Sequence, residues 1–383
     1  MRLLPAAVSL ALAVSASAET LTILHTNDVH SRIEPVTAFN TTCAPGDTDR
    51  GACFGGSARL LTAVAAARAE TPEALLVDGG DQFQGSLFYT RYKGKAAAEI
   101  MVALDYDAMA IGNHEFDDGP EVLRAFIEAV DFPVLMSNAD LGAEPSLADL
   151  VRPSTSIERG GHRIGIVGIA PEDTHGTSRP GPNVTFQDPI EAVRREVARL
   201  EAEGIDRIVV LSHSGHALDE RIAAEVDGID VIVGGHSHTL LSNTVDGAQG
   251  PYPTWVETPS GGRTAIVQAY AYGRYLGRLD VTFDDAGRVI DATGEPLALD
   301  AGVPEDPALK ARIAELAEPL RELRARVVAQ VDTMIGADHD RCRVAECTLG
   351  NLVADAMLAR MRPQGADVAI MNGGGLRAPI DAG

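Results

Sequence analysis

Ala74-Leu75-Leu76-Val77-Asp78-Gly79-Gly80-Asp81 is a four-residue apolar run that stops at two carboxylates with a pair of glycines between them. A run this short, bounded by Gly and Asp, reads as a strand buried on both faces. The pattern recurs along the chain. Leu21-Thr22-Ile23-Leu24 leads into His25-Thr26-Asn27-Asp28-Val29-His30, and Ala108-Met109-Ala110-Ile111 leads into Gly112-Asn113-His114-Glu115. Ile208-Val209-Val210-Leu211 runs into Ser212-His213, and Val231-Ile232-Val233 into Gly234-Gly235-His236-Ser237-His238. Between them, Ser57 to Ala69, Glu121 to Val130 and Pro189 to Glu203 carry apolar residues at helical spacing. Strands alternating with helices predict an α/β layered fold. In such folds ligands gather beyond the carboxyl ends of the strands. Five strand ends, each bearing a metal-binding side chain at the same end of one sheet, point to a single site.

The kinds of residue narrow its chemistry. Asp28, His30, Asp81, Asn113, His213, His236 and His238 offer carboxylate, amide and imidazole but no thiolate. That mixture suits zinc first, with manganese or cobalt as alternatives, in an open site rather than a closed structural one. Seven candidates exceed the needs of one catalytic ion, so two divalent ions sharing a bridging carboxylate are expected, with Asp81 as the bridge. Two ions about 3.5–4 Å apart suit in-line displacement at phosphorus. Within Gly112-Asn113-His114-Glu115-Phe116-Asp117, Asn113 can ligate while His114 points towards a substrate. Asp117 lies one helical turn on, so its carboxylate can hold the imidazole for transition-state stabilisation or leaving-group protonation. The other reading makes His114 a further ligand or a packing residue. His25 reads as structural, His162, His175 and His339 as solvent-facing, and His216 as an outer neighbour of the ligands.

Composition sets the surroundings. The formal charge of −23 makes nucleic acid and anionic lipid poor partner surfaces. Met1-Arg2, the apolar run Leu3 to Val14 and Ala16-Ser17-Ala18 read as a signal peptide over residues 1–18, cleaved after Ala18. The run falls short of the about 20 residues a membrane span needs, so a secreted or periplasmic protein is expected. The four cysteines fall into near pairs, Cys43 with Cys53 and Cys342 with Cys347. In an exported chain these read as local disulfides; zinc is the alternative, although neither pair has Cys-x-x-Cys spacing.

Asp-x-His, Gly-Gly-Asp, Gly-Asn-His-Glu-x-Asp, a strand ending in His, and Gly-Gly-His-x-His together resemble the calcineurin-like metallophosphoesterases. Tyr106-Asp107-Ala108-Met109-Ala110, Gln268-Ala269-Tyr270-Ala271-Tyr272-Gly273 and Pro304-Glu305-Asp306-Pro307 extend the resemblance to the 5′-nucleotidase family, in particular its ecto-5′-nucleotidase branch. It implies a β-sheet sandwich flanked by helices over residues 19–306, a linker helix over 307–328 and an incomplete α/β C-terminal domain over 329–383. It further implies one metal on Asp28, His30, Asp81 and His238, the other on Asp81, Asn113, His213 and His236, and His114 with Asp117 as catalytic dyad. Arg343, Asn372, Gly374, Gly375 and Arg377 match substrate-binding positions. Family members continue past the position of Gly383, and the aromatic residues that sandwich the base are expected there. The implied reaction is hydrolysis of a small nucleotide, a nucleoside 5′-monophosphate, to nucleoside and phosphate. UDP-sugars, di- or cyclic phosphates are the alternatives within the chemistry, and an inactive metal- or nucleotide-binding fragment the alternative outside it.

Overall fold

The computed structural model describes residues 19–44, 46–337, 339–376 and 379–382, with the backbone alone at 339 and 340. Residues 1–18, expected to be a signal peptide, the His339 side chain and Arg377 lie outside the described residues.

Strand Glu19–Thr26 pairs in parallel with Leu75–Asp78, which is followed in the sheet by Ala108–Ala110 and Val134–Leu135, all parallel. On its other side lies an antiparallel hairpin, Tyr275–Phe283 with Val289–Ala298, closing a six-stranded sheet. A second six-stranded sheet runs Thr254–Glu257, Arg263–Val267, Val231–Val233, Arg207–Ser212, His162–Ile169, Ser154–Arg159; its four inner strands are parallel and its two edges antiparallel. The five strands expected to carry metal ligands at their ends therefore do not share one sheet, as their common pattern suggested. Three belong to the first sheet and two to the second. Central parallel strands of two packed sheets are equally buried, so hydrophobicity alone cannot assign them to separate layers.

Side-chain alternation builds the layers. Ile23, Leu75, Val77, Ala108 and Ala110 face the other sheet, where they meet Ile166, Val209, Leu211, Val231 and Val233 in one core. Their neighbours Leu24, Leu76 and Met109 point outward into a second core with helices Ser57–Glu70 and Lys95–Leu104. Val210, Ile208 and Ile232 do the same beneath helix Pro189–Ala202, through Val193, Val197 and Leu200. That helix starts where its sequence dictates. Asp188 accepts hydrogen bonds from the Ile190 and Glu191 N–H groups, and Pro189 occupies the first turn, where no amide donor is needed. The result is helices, sheet, sheet, helices, with the carboxyl ends of the parallel strands of both sheets at one rim.

The helix expected over 307–328 is broken and ends earlier. Helix Pro307–Ala317 passes into a 3-10 turn at Glu318–Leu320, and a last short helix, Arg321–Ala325, ends it. Pro319 lacks the N–H that would continue the α-helical ladder. Beyond it, helix Thr348–Met361 packs Leu349 against Cys342 and Leu376 in a small separate cluster. Both cysteine pairs are disulfides, Cys43–Cys53 and Cys342–Cys347, so no thiolate remains for a metal. Among the described residues no helix is long and apolar enough to cross a membrane.

Candidate metal centre

The loops that leave the five parallel strands meet across the rim. Asp28 and His30 follow strand Glu19–Thr26, Asp81 follows Leu75–Asp78, and Asn113 follows Ala108–Ala110. His213 comes directly after Arg207–Ser212, and His236 and His238 after Val231–Val233. Two clusters result: Asp28 with His30 and His238, and Asp81 with His213 and His236, the ligand atoms of each lying within 4.8 Å of one another.

Asp81 stands between them. Its Oδ2 is 3.0 Å from His213 Nε2, 3.9 Å from His30 Nε2 and 4.0 Å from His114 Nε2. Asp28 Oδ1 lies 3.2 Å from His238 Nε2, 3.8 Å from His30 Nε2 and 3.7 Å from His213 Nε2. The structure also groups His30, Asp81 and His114 within ligand distance, which keeps open the reading of His114 as a ligand.

The residues present fit divalent ions. His213 Nδ1 donates to the Gly79 carbonyl at 2.6 Å and His30 Nδ1 to the Phe83 carbonyl at 3.2 Å. With the proton fixed on Nδ1, the Nε2 lone pair of each neutral ring points inward, the arrangement in which histidines bind metals. The buried Asn113 Oδ1 has no hydrogen-bond partner among the described residues, and His30 and His238 bring their Nε2 atoms to 3.1 Å. Burial by itself would raise the pKa of Asp28, but the imidazoles of His238 and His213 outweigh it and hold the acid below its usual range. Asp81 is likewise held down against burial by His213, His114 and His30. Burial would lower His213, yet Asp81 and Asp28 push it up to about 10, while His236 is lowered by burial and by His213. Two buried carboxylates that draw a neighbouring imidazole this far towards its cation mark a place where positive charge belongs.

The backbone is bent to make the centre. Asp28, His30, Asp81, His236 and His238 all have φ between 51° and 69°, a left-handed conformation costly for residues with a Cβ. Glu115 holds one of these turns. Its fully buried carboxylate accepts from the N–H groups of Asp81 (3.0 Å), Gln82 (2.8 Å), Phe83 (3.1 Å) and Gly112 (2.7 Å). Burial and the Asp81 charge push this acid up to about 7 despite those donors. Sequence reasoning passed over Glu115, although a carboxylate set between Asn113-His114 and Phe116 was signal enough. Two glycines are required by contact. A Cβ at Gly235 would lie 2.8 Å from the Gly79 carbonyl oxygen, and one at Gly112 would lie 2.2 Å from Asp81 Oδ1. Gly112→Ala is accordingly expected to displace the Asp81 carboxylate and weaken metal binding by about 10–100-fold. Metal titration of the variant, with a thermal melt to separate loss of fold, checks this.

His114 and Asp117 flank the centre. Residues His114–Phe116 form a single 3-10 turn, which places His114 Nδ1 2.7 Å from Asp117 Oδ2. The same turn lets the His114 N–H donate to Asp81 Oδ1 at 2.9 Å. Of the candidate substrate-binding residues, Arg343 lines a cavity of about 790 Å³ whose wall includes His238, Tyr270 and Tyr272. Asn372, Gly374 and Gly375 are not among the described residues lining that cavity; Asn372 Oδ1 instead accepts from the Gly374 N–H at 3.2 Å. His25 is buried and bonded to the Tyr252 hydroxyl, His162 pairs with Glu19, and His175 donates to the Val184 carbonyl. His216 joins neither cluster; its N–H donates to Ser237 Oγ.

Comparison with known proteins agrees with this geometry. The calcineurin-like phosphoesterase family matches residues 21–240, and the 5′-nucleotidase C-terminal domain family matches residues 327–383. The 5′-nucleotidase of Diplobatis ommata is 41% identical over 94% of this chain and 64% of its own length, and that of Homo sapiens is 39% identical over 98% of this chain and 68% of its own. Among solved structures, a 5′-nucleotidase precursor from Thermus thermophilus superposes with a TM-score of 0.88 at 40% identity, over 95% of this chain and 71% of that one. The chain thus spans about two thirds of the length of the curated relatives it matches. By the family match over residues 21–240 and by these relatives, the chain belongs to the 5′-nucleotidase family of calcineurin-like phosphoesterases.

Proposed function

We propose that this protein is an exported hydrolase of nucleoside 5′-monophosphates that works through a dinuclear divalent-metal centre, with zinc as its ion. One observation carries the reading: two His/Asp clusters joined at Asp81, with the His114–Asp117 pair beside them and a cavity large enough for a nucleotide bounded by His238 and Arg343. Asp28, His30, Asp81 and His238 would hold one ion, and Asp81, Asn113, His213 and His236 the other. Bound there, the ions acidify a water and neutralise charge on phosphoryl oxygens.

The chain's own residues supply the rest. Asp117 accepts from His114 Nδ1 and stabilises the doubly protonated ring, so that Nε2–H faces the reacting oxygens as a donor. Arg343 offers a guanidinium to the anionic end of the substrate. Asn372, Gly374, Gly375 and Arg377 are assigned to the same substrate by their match to family positions. We divide the chain into a signal peptide (1–18), a catalytic domain (19–306), a linker (307–328) and the first part of a substrate-binding domain (329–383). Two disulfides fit an oxidising compartment, consistent with export.

The test is phosphate release by the chain after chelation and re-addition of zinc or manganese. The panel is AMP, ADP, UDP-glucose, a cyclic nucleotide and an aryl phosphate diester. Metal-dependent release from AMP above the others is expected. Hydrolysis of the aryl ester alone would overturn the nucleotide assignment and leave the metal chemistry standing. Failure on every substrate with two metals bound would overturn both.

A further inference from the structure

We propose that Ser178 and Gln84 are positioning residues for the reaction, acting through Asp117 by fixing the rotation of its carboxylate against His114. The proposal rests on the reading of His114 and Asp117 as the reactive pair.

Among the described residues, the Asp117 carboxylate accepts from three side-chain donors. Oδ2 accepts from His114 Nδ1 at 2.7 Å and from Gln84 Nε2 at 2.9 Å, and Oδ1 accepts from Ser178 Oγ at 2.8 Å. The three come from three loops. His114 lies after the first sheet's strand Ala108–Ala110, and Gln84 after its neighbour Leu75–Asp78. Ser178 lies beyond strand His162–Ile169 of the second sheet. The plane of the carboxylate is thus set by groups on both halves of the sandwich.

Each donor is itself held. Gln84 sits at φ 66°, and its Oε1 accepts from the Gly85 N–H at 3.0 Å, which turns its amide nitrogen towards Asp117. Ser178 ends the short helix Thr174–Thr177, its N–H bonded to the Thr174 carbonyl. That segment is tied down by the buried Thr174, whose hydroxyl donates to the Pro171 carbonyl at 2.6 Å. His175 packs edge-on against Phe186, and Phe186 against Phe116, a member of the same 3-10 turn as His114. A segment from the far sheet is therefore keyed to the turn carrying the imidazole, and Ser178 is its polar contact with the pair. A carboxylate with one oxygen left unbonded can swing about its terminal torsion, which is broad and soft. Ser178 and Gln84 remove that freedom and keep the lone pair aligned with Nδ1–H, so the opposite nitrogen stays aimed at the metal centre.

In the metal-loaded chain, Ser178→Ala is expected to lower kcat on AMP about tenfold, the effect typical of losing an outer hydrogen bond to a reactive group. KM and metal content should stay unchanged, and Ser178→Thr, which retains the hydroxyl, should recover most of the loss. In an Asp117→Ala background, Ser178→Ala should cost less than about twofold more, because the group it acts through is gone. Independent, multiplying losses would overturn the proposal, as would an unchanged kcat or a fall in metal content. A readout without turnover separates this from the assignment of function: the imidazole resonances of ¹⁵N-labelled His114 in the zinc-loaded protein. Ser178→Ala and Gln84→Ala should shift the Nδ1–H signal, and Ser178→Thr should restore it. An unchanged spectrum would overturn the positioning role even if AMP is hydrolysed. A shifted spectrum in a protein inactive on every ester would uphold the positioning and sink the reaction it was meant to serve.

Discussion

Asp81→Ala is expected to bring the metal content from two ions per chain to none and to abolish metal-dependent phosphate release. Two features make this the largest single effect. The Asp81 carboxylate contacts both clusters, at 3.0 Å from His213 Nε2 and 3.9 Å from His30 Nε2. It is also buried among imidazoles, so its removal leaves them facing one another with less negative charge to draw a cation in. Asp28→Ala makes the informative partner. Asp28 Oδ1 lies closest to His238, with His30 and His213 further away, so its loss should empty the His30–His238 half first and leave about one ion bound. Elemental analysis and zinc titration of the two variants settle the order. One ion retained in Asp81→Ala would assign the bridge elsewhere, and two would remove Asp81 from the ligand set. Because Asp81 Oδ1 also accepts the His114 N–H, the variant is a poor guide to the role of His114.

The strands, and the Asp, Asn and His side chains that gather beyond their ends, are legible in the sequence because burial and chemistry both leave local marks. Val231–Val233 followed by Gly-Gly-His-Ser-His cannot be a surface strand, and its histidines cannot be far from its carboxyl end. The division into two sheets leaves no such mark. Ile23 and Val209 belong to the one core between the two sheets, yet each would read the same beneath a helix. Asp117 follows from a spacing of three residues to His114, and the 2.7 Å contact follows from one turn of backbone. Ser178 lies outside that kind of reasoning. It is sixty-one positions from Asp117 and arrives from the other sheet, so its contact is a product of tertiary packing alone. Arg343 shares a cavity with His238, whereas Asn372, matched by motif to the same substrate, spends its side-chain oxygen on its own Gly-rich turn. Motif resemblance carries residue identity; it does not carry the orientation of a loop.

His114→Ala should separate binding from chemistry. Its Nδ1 is committed to Asp117, and its Nε2 sits 4.0 Å from Asp81 Oδ2, further than His213 by a full ångström. On the proposed reading, a ring held by a carboxylate on one nitrogen and standing off Asp81 with the other would donate to a substrate oxygen. Both metals should therefore remain bound, while kcat falls by about 10²–10⁴, the usual worth of a positioned acid or hydrogen-bond donor. KM should change little, because the loss falls on the transition state. The competing arrangement is also present in the geometry, since His30, Asp81 and His114 lie within ligand distance of one another. If that grouping holds an ion, His114→Ala will lose metal along with activity, and added zinc will restore part of the rate. Asp117→Asn then distinguishes the two cases. In the dyad arrangement it should reproduce most of the kcat loss with both metals in place, since a neutral amide no longer stabilises the doubly protonated ring. In the ligand arrangement it should weaken metal binding and leave the chemical step of the fully loaded protein near its original rate.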